Sequence, residues 1–211
     1  MSLFEGKIQS PEFREAFPEM KDDGDERVLR VKKLFDATVA CVSNVMDETS
    51  NRVQSAELKA VVLFGSLMRG KERPSDIDFL TVIDTSRLPP PEEGNSYRSQ
   101  TINYNRLSAP ARLLKEKLRA ATGVPGHTIM TPETRGINFI EVDQDTDDET
   151  LKRRVEKALK LNISSRSPPK PGTKLKEDDS GRRDWTLTPK PRHVVGDPAV
   201  AERITQVLED L

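Results

Sequence analysis

Cysteine occurs once in 211 residues, at Cys41, and histidine twice. A single thiol closes no internal disulfide, and one Cys with two His is too small a donor set for a structural zinc site. Cys41 stands in the run Ala37-Thr38-Val39-Ala40-Cys41-Val42, the setting of a buried small hydrophobe rather than a nucleophile. Aromatic residues are scarce too: one Trp, two Tyr and seven Phe. The core must therefore be mainly aliphatic. Apolar residues amount to 34% and charged residues to 33%, against roughly 45–50% (a count that includes Gly) and roughly 25% in ordinary globular chains. That balance implies that part of the chain builds no core. The charges nearly cancel, 34 Lys+Arg against 35 Asp+Glu for a net charge of −1. Nucleic acid is thus not indicated by any global basic field, although a local basic patch remains open. No stretch approaches the roughly 20 apolar residues that cross a bilayer. Glu5 and Lys7 follow Met1 with no apolar run of the signal-peptide kind. The expectation is a cytoplasmic chain that does not enter membranes.

The length suits one domain with tails. Residues 1–24, with Pro11 and Pro18, read as an N-terminal arm holding a short helix over 11–17. From Asp25 the residues Val28, Val31, Leu34, Phe35, Thr38, Val39, Val42, Val45 and Met46 recur at three- and four-residue spacing, which predicts an amphipathic helix to about Ser50. The period then changes. Residues 60–64 form a short β-branched apolar run, a buried strand, and 77–83 a second one. Pro89-Pro90-Pro91 and Gly94 mark a loop over 88–100, after which Ser108 or Pro110 opens a helix that Gly123 ends. Residues 127–131 and, more strongly, 137–142 read as strands. A helix follows over 148–161, acidic at its start as the helix dipole favours. Residues 164–196, rich in Pro and charge, have the composition of a disordered linker. A terminal amphipathic helix over 197–211 carries Val200, Ile204, Val207 and Leu208, suited to docking on the domain or on a protein partner. The expected fold is α+β, a small mixed sheet flanked by helices over 25–163, with a disordered C-terminal tail.

The chemistry concentrates between Val61 and Val82. The first strand delivers the chain to Gly65, where the absence of a Cβ lets backbone N–H groups approach a phosphate. Ser66 adds a hydroxyl and starts a helical turn, whose free N–H groups favour an anion. Asp76 and Asp78 stand two apart at the mouth of the second strand. Period two puts both carboxylates on one face and Ile77 on the other. Carboxylates that converge repel unless a cation lies between them, and Mg²⁺ suits two carboxylates plus phosphate oxygens.

The pattern apolar-strand-Gly65-Ser66-Leu67-Met68-Arg69-Gly70, then Ser75-Asp76-Ile77-Asp78 and a further apolar strand, resembles the polymerase-β-type nucleotidyltransferase superfamily. Within it, the pattern is most similar to the minimal nucleotidyltransferases, which occur as antitoxin partners of small helical toxins. The likeness is strong over 58–84, extends to about 145 by the order of elements, and says nothing of the tails. It implies a nucleotidyltransferase fold. It also implies two Mg²⁺ ions held by Asp76 and Asp78, and a nucleoside triphosphate, ATP before others, bound at Gly65, Ser66 and Arg69. The implied reaction moves an NMP group to a hydroxyl of a protein, an RNA or a small molecule. For Arg69 the alternative is a surface pair with Glu72.

Such enzymes use a third carboxylate from a neighbouring strand, and two registers compete to supply it. In the first, the strand over 137–142 contributes Glu141, with Asp143 two residues on, and completes a metal triad of Asp76, Asp78 and Glu141. In the second, Gly123-Val124-Pro125-Gly126-His127-Thr128 matches the family's helix-to-strand step, and the place falls on His127 or Thr128. The first register is preferred because its strand is the better one. The second implies a degenerate site that holds nucleotide without turnover, as in a binding module of antitoxin type.

Overall fold

The computed structural model describes residues 11–20, 25–53, 55–88, 97–128, 138–143, 145–164 and 192–210. Several segments of the sequence reading fall outside them: residues 1–10 and 21–24 of the N-terminal arm, most of the Pro-rich loop (89–96), the end of the strand expected over 127–131 (129–131) and the greater part of the charged linker (165–191).

The described elements form an α+β arrangement, a small mixed sheet with helices on both faces. Helix α1 (Pro11–Ala16) precedes α2 (Glu26–Ser50), whose start is fixed by Asp25 accepting the Arg27 N–H at 2.8 Å. Strands β1 (Glu57–Phe64) and β2 (Ile77–Asp84) pair antiparallel around the single turn of α3 (Gly65–Met68). Helix α4 (Tyr97–Thr122) then crosses to β3 (Gly126–Thr128), parallel to β2. Strand β4 (Phe139–Val142) is also parallel to β2 but farther along it, and α5 (Asp148–Ser164) follows. Strand β5 (His193–Gly196) pairs antiparallel with the other edge of β1, and α6 (Pro198–Glu209) closes the fold. The strand order is β3-β2-β1-β5.

Period two sorts the strand side chains into two cores. Val61 and Leu63 of β1 and Ile77, Phe79 and Ile83 of β2 face α1, α2 and α4 through Phe13, Phe35, Leu114 and Leu118. Ala60, Val62, Phe64, Leu80 and Val82 face α5 and α6 through Leu151, Val155, Ile204 and Leu208. Leu58 and Ala60, two apart, go to opposite faces because the β1–β2 register shifts between them.

Three boundaries differ from expectation, each for a packing reason. Residues 11–17, expected in an arm, belong to the core. Phe13 is fully buried, and its ring lies 4.8 Å from that of Phe17 and 5.9 Å from that of Phe35. Helix α4 begins at Tyr97, not at Ser108, and runs through Pro110. A helical proline leaves the carbonyl four residues back without its donor. Here that carbonyl, on Arg106, accepts the Ala56 N–H at 3.0 Å instead. Finally, β5 lies at the end of the stretch expected to be linker, and carries α6 onto the sheet. Among the described residues no helix is long and apolar enough to cross a membrane. Cys41 is buried as expected, and burial pushes its thiol pKa up.

Candidate metal centre

Asp78 is the point on which the neighbouring elements converge. The antiparallel ladder sets it opposite Phe64, the last residue of β1, and the parallel ladder sets it opposite His127 of β3. The chain turns at Gly65 directly beside it. Gly65 has φ +78°, and a Cβ there would lie 2.0 Å from Asp78 Oδ2. The glycine is therefore required twice, for the left-handed backbone and for the carboxylate that rests against its Cα. The sequence suggested a glycine for the sake of a phosphate; the structure adds a reason internal to the site.

His127 is the exposed residue of β3, between buried Gly126 and buried Thr128. Its Nδ1 lies 2.9 Å from Asp78 Oδ1, with side-chain exposures of 61% and 21%. The hydrogen bond to Asp78 raises the His127 pKa above its ordinary value. Burial opposes this, the charges of Asp78 and Asp76 add to it, and Lys115 opposes it. One ligand atom each from Asp76, Asp78 and His127 lie within 4.8 Å of one another. Two carboxylate oxygens and an imidazole nitrogen so placed could hold a divalent ion. Ser75 Oγ donates to Asp76 Oδ1 at 3.2 Å, which orients that carboxylate.

Glu141 is not brought to this cluster. Strand β4 pairs with the far half of β2, and Glu141 stands opposite Ile83, five positions past Asp78. At roughly 3.3 Å per residue that is about 16 Å away. Alternation also puts Glu141 with Phe139, which packs with the α2/α4 core, whereas Asp78 shares its face with Leu80 and Val82. The Glu141 carbonyl accepts from Arg154 at 2.6 Å. Asp143 is occupied too. It accepts from Thr146 Oγ1 at 2.6 Å, and this bond lowers its pKa. The side chain that joins Asp76 and Asp78 is thus His127, a residue of the second register.

On the other side of Asp78, Ser66 Oγ is buried and has no hydrogen-bond partner among the described residues. A buried hydroxyl without a partner costs roughly 1–3 kcal/mol, so this one is suited to a ligand oxygen. The first N–H groups of α3 have no intrahelical acceptors either. Arg69, at the end of α3, is exposed and does not pair with Glu72, which accepts from Arg30 at 3.4 Å. Lys115, whose charge acts on His127, was not singled out from the sequence. The signal was its spacing from Arg112 and Arg119 on one helix face, already contained in the helix expected from Ser108 or Pro110 to Gly123.

No protein-family model, curated protein or solved structure matches this chain.

Proposed function

We propose that the chain binds a divalent metal ion together with a nucleoside triphosphate, ATP before others, and transfers the NMP group to a hydroxyl. On this reading the fold is that of the polymerase-β-type nucleotidyltransferases, nearest to the minimal ones. The observation that carries it is the convergence on Asp78 of a second carboxylate, an imidazole and the Gly65-Ser66 turn with its unpartnered hydroxyl. Asp76, Asp78 and His127 would hold the metal, and Gly65, Ser66 and Arg69 the triphosphate. A divalent ion supplies charge neutralisation on phosphate oxygens and a lowered pKa for a hydroxyl. The acceptor oxygen forms its bond to the α-phosphorus, the α–β phosphoanhydride bond breaks, pyrophosphate leaves, and the hydroxyl proton passes to water. The chain's own part is to orient these groups. Asp78 is held between Gly65 and His127, which orients its carboxylate before any ligand binds.

The second reading is a module that binds metal–nucleotide without turnover, and the imidazole in place of a third carboxylate favours it. Equilibrium dialysis of α-³²P-ATP against the full chain tests the shared step. Binding should need a divalent metal and vanish in Asp76→Ala/Asp78→Ala; metal-independent binding, or none, refutes both readings. Label transferred to a protein, RNA or small-molecule acceptor separates enzyme from module.

A further inference from the structure

Beside the metal centre runs a groove of about 770 Å³, lined by Arg112, Lys115, Glu116 and Arg119 of α4 and floored by Ala120, Pro125 and Gly126. The three cations lie at three- and four-residue spacing and therefore share one helix face. Some cations elsewhere in the molecule are paired: Arg30 with Glu26, Lys32 with Asp36, Arg203 with Asp148. Here they are not. Among the described residues Lys115 and Arg119 form no ion pair, and Arg112 stacks over the Tyr104 ring with its guanidinium carbon 5.4 Å from the centroid. Glu116 stands four residues from Arg112 and three from Arg119, close enough to pair, yet no pair forms. In a chain of net charge −1 this is a local cationic surface left uncompensated.

The groove adjoins the proposed reaction centre through a single residue. Gly126 precedes His127, and a Cβ on it would lie 2.9 Å from Phe79 Cε1 and 3.2 Å from the Lys115 Cα. The glycine lets β3 lie against α4 at the level of Lys115, which sets the cationic face next to the imidazole. Sites for small molecules span roughly 300–1,000 Å³, so the groove suits one nucleotide-sized molecule. Guanidinium and ammonium groups over a small apolar floor match a phosphate with a neutral body attached.

We propose that this groove binds a nucleotide-sized phosphate monoester, and that this ester is the hydroxyl acceptor. The binding stands on the groove alone; the acceptor role rests on the nucleotidyl-transfer reading. In that role the ester's hydroxyl oxygen forms the bond to the α-phosphorus of the triphosphate, the α–β phosphoanhydride bond breaks, pyrophosphate leaves, and the hydroxyl proton passes to water. Lys115 and Arg119 bind the ester's phosphate and keep its hydroxyl turned to the metal centre.

Calorimetric titration of the full chain with AMP, GMP, CMP, UMP and ribose 5-phosphate, in EDTA, tests the binding apart from any metal–triphosphate site. At least one ester should bind, its unphosphorylated counterpart at least about tenfold more weakly. Lys115→Ala/Arg119→Ala should weaken it by a similar factor, while Asp76→Ala/Asp78→Ala should not weaken it at all. Circular dichroism checks that the variants fold. The proposal is overturned if no ester binds or if the Lys115/Arg119 variant binds as the wild type does. It is also overturned if a single-stranded RNA tetranucleotide binds more than tenfold tighter than every ester, since a strand end is then the occupant. Failure of metal-dependent ATP binding would remove the transfer reading and leave the groove result standing.

Discussion

The contact between Gly65 and Asp78 makes the site's geometry measurable without a ligand. Gly65→Ala meets two penalties. The first is backbone: φ +78° is a conformation in which an L-residue costs roughly 1–2 kcal/mol. The second is local. The new Cβ would lie 2.0 Å from Oδ2, 2.8 Å from Cγ and 3.0 Å from Cβ of Asp78, so the whole carboxylate must turn away and give up its 2.9 Å bond to His127. Since His127 is largely exposed, that pair is worth about 0.5–1 kcal/mol. Together the loss is about 1.5–3 kcal/mol, or roughly 3–12 °C in Tm for a domain of this size. Asp78→Ala removes the obstacle. In that background Gly65→Ala should cost only the backbone part, leaving a coupling of about 1 kcal/mol in a double-mutant cycle read by urea denaturation. Equal costs in the two backgrounds would show that Asp78 does not rest on Gly65, and the account of the site would fall.

Because its pKa is raised, His127 favours the folded state below the ordinary value of 6.5, and that contribution is lost as pH rises through the folded-state pKa above 6.5. A ¹H NMR titration should find the His127 midpoint above 6.5 and lower it in Asp78→Asn; a midpoint indifferent to that change refutes the pairing. An imidazole donor favours Mn²⁺ over Mg²⁺, so Mn²⁺ should raise Tm more at equal concentration, and His127→Ala should erase the difference. Glu141→Gln should leave the Mn²⁺ effect intact; loss of that effect would restore Glu141 to the metal site. Without nucleotide, calorimetry should count one Mn²⁺ per chain, and two would contradict a donor set of two carboxylates and one imidazole.

The parts of this fold written in local pattern were legible. The stripe of Val28, Val31, Leu34, Phe35, Thr38, Val39, Val42, Val45 and Met46 located α2, and the apolar run over 77–83 located β2. What the sequence left open depended on contacts made far away. Pro110 looked like a helix start because its neighbours could not reveal that the Ala56 N–H takes up the Arg106 carbonyl. Residues 193–196 looked like linker because four residues carry too little pattern, and their pairing partner, β1, lies some 130 positions earlier. The third member of the Asp76–Asp78 cluster was missed in the same way. The strand over 137–142 had the stronger pattern, but strength says nothing of where along β2 it pairs. Both β3 and β4 lie on that edge of β2, and only β3 reaches the end where Asp78 stands.

The substitution of an imidazole for a third carboxylate alters the charge balance of the centre in a definite direction. Asp76, Asp78 and neutral His127 sum to −2, which one divalent ion cancels, whereas three carboxylates would leave that ion in a site of net −1. A neutral loaded site repels an incoming triphosphate less, but it has no spare negative charge to hold a second ion, which would have to arrive on the triphosphate's own oxygens. The balance also depends on His127 being neutral. In the metal-free protein Asp78 and Asp76 favour its protonated form and Lys115 opposes it. On the proposed reading, an ion between the carboxylates would cancel their pull on the proton and leave burial and Lys115, both of which favour the neutral imidazole that can bind metal. Lys115 of α4 therefore acts on this cluster even before any ligand enters the groove: its charge weakens, without reversing, the rise in the His127 pKa.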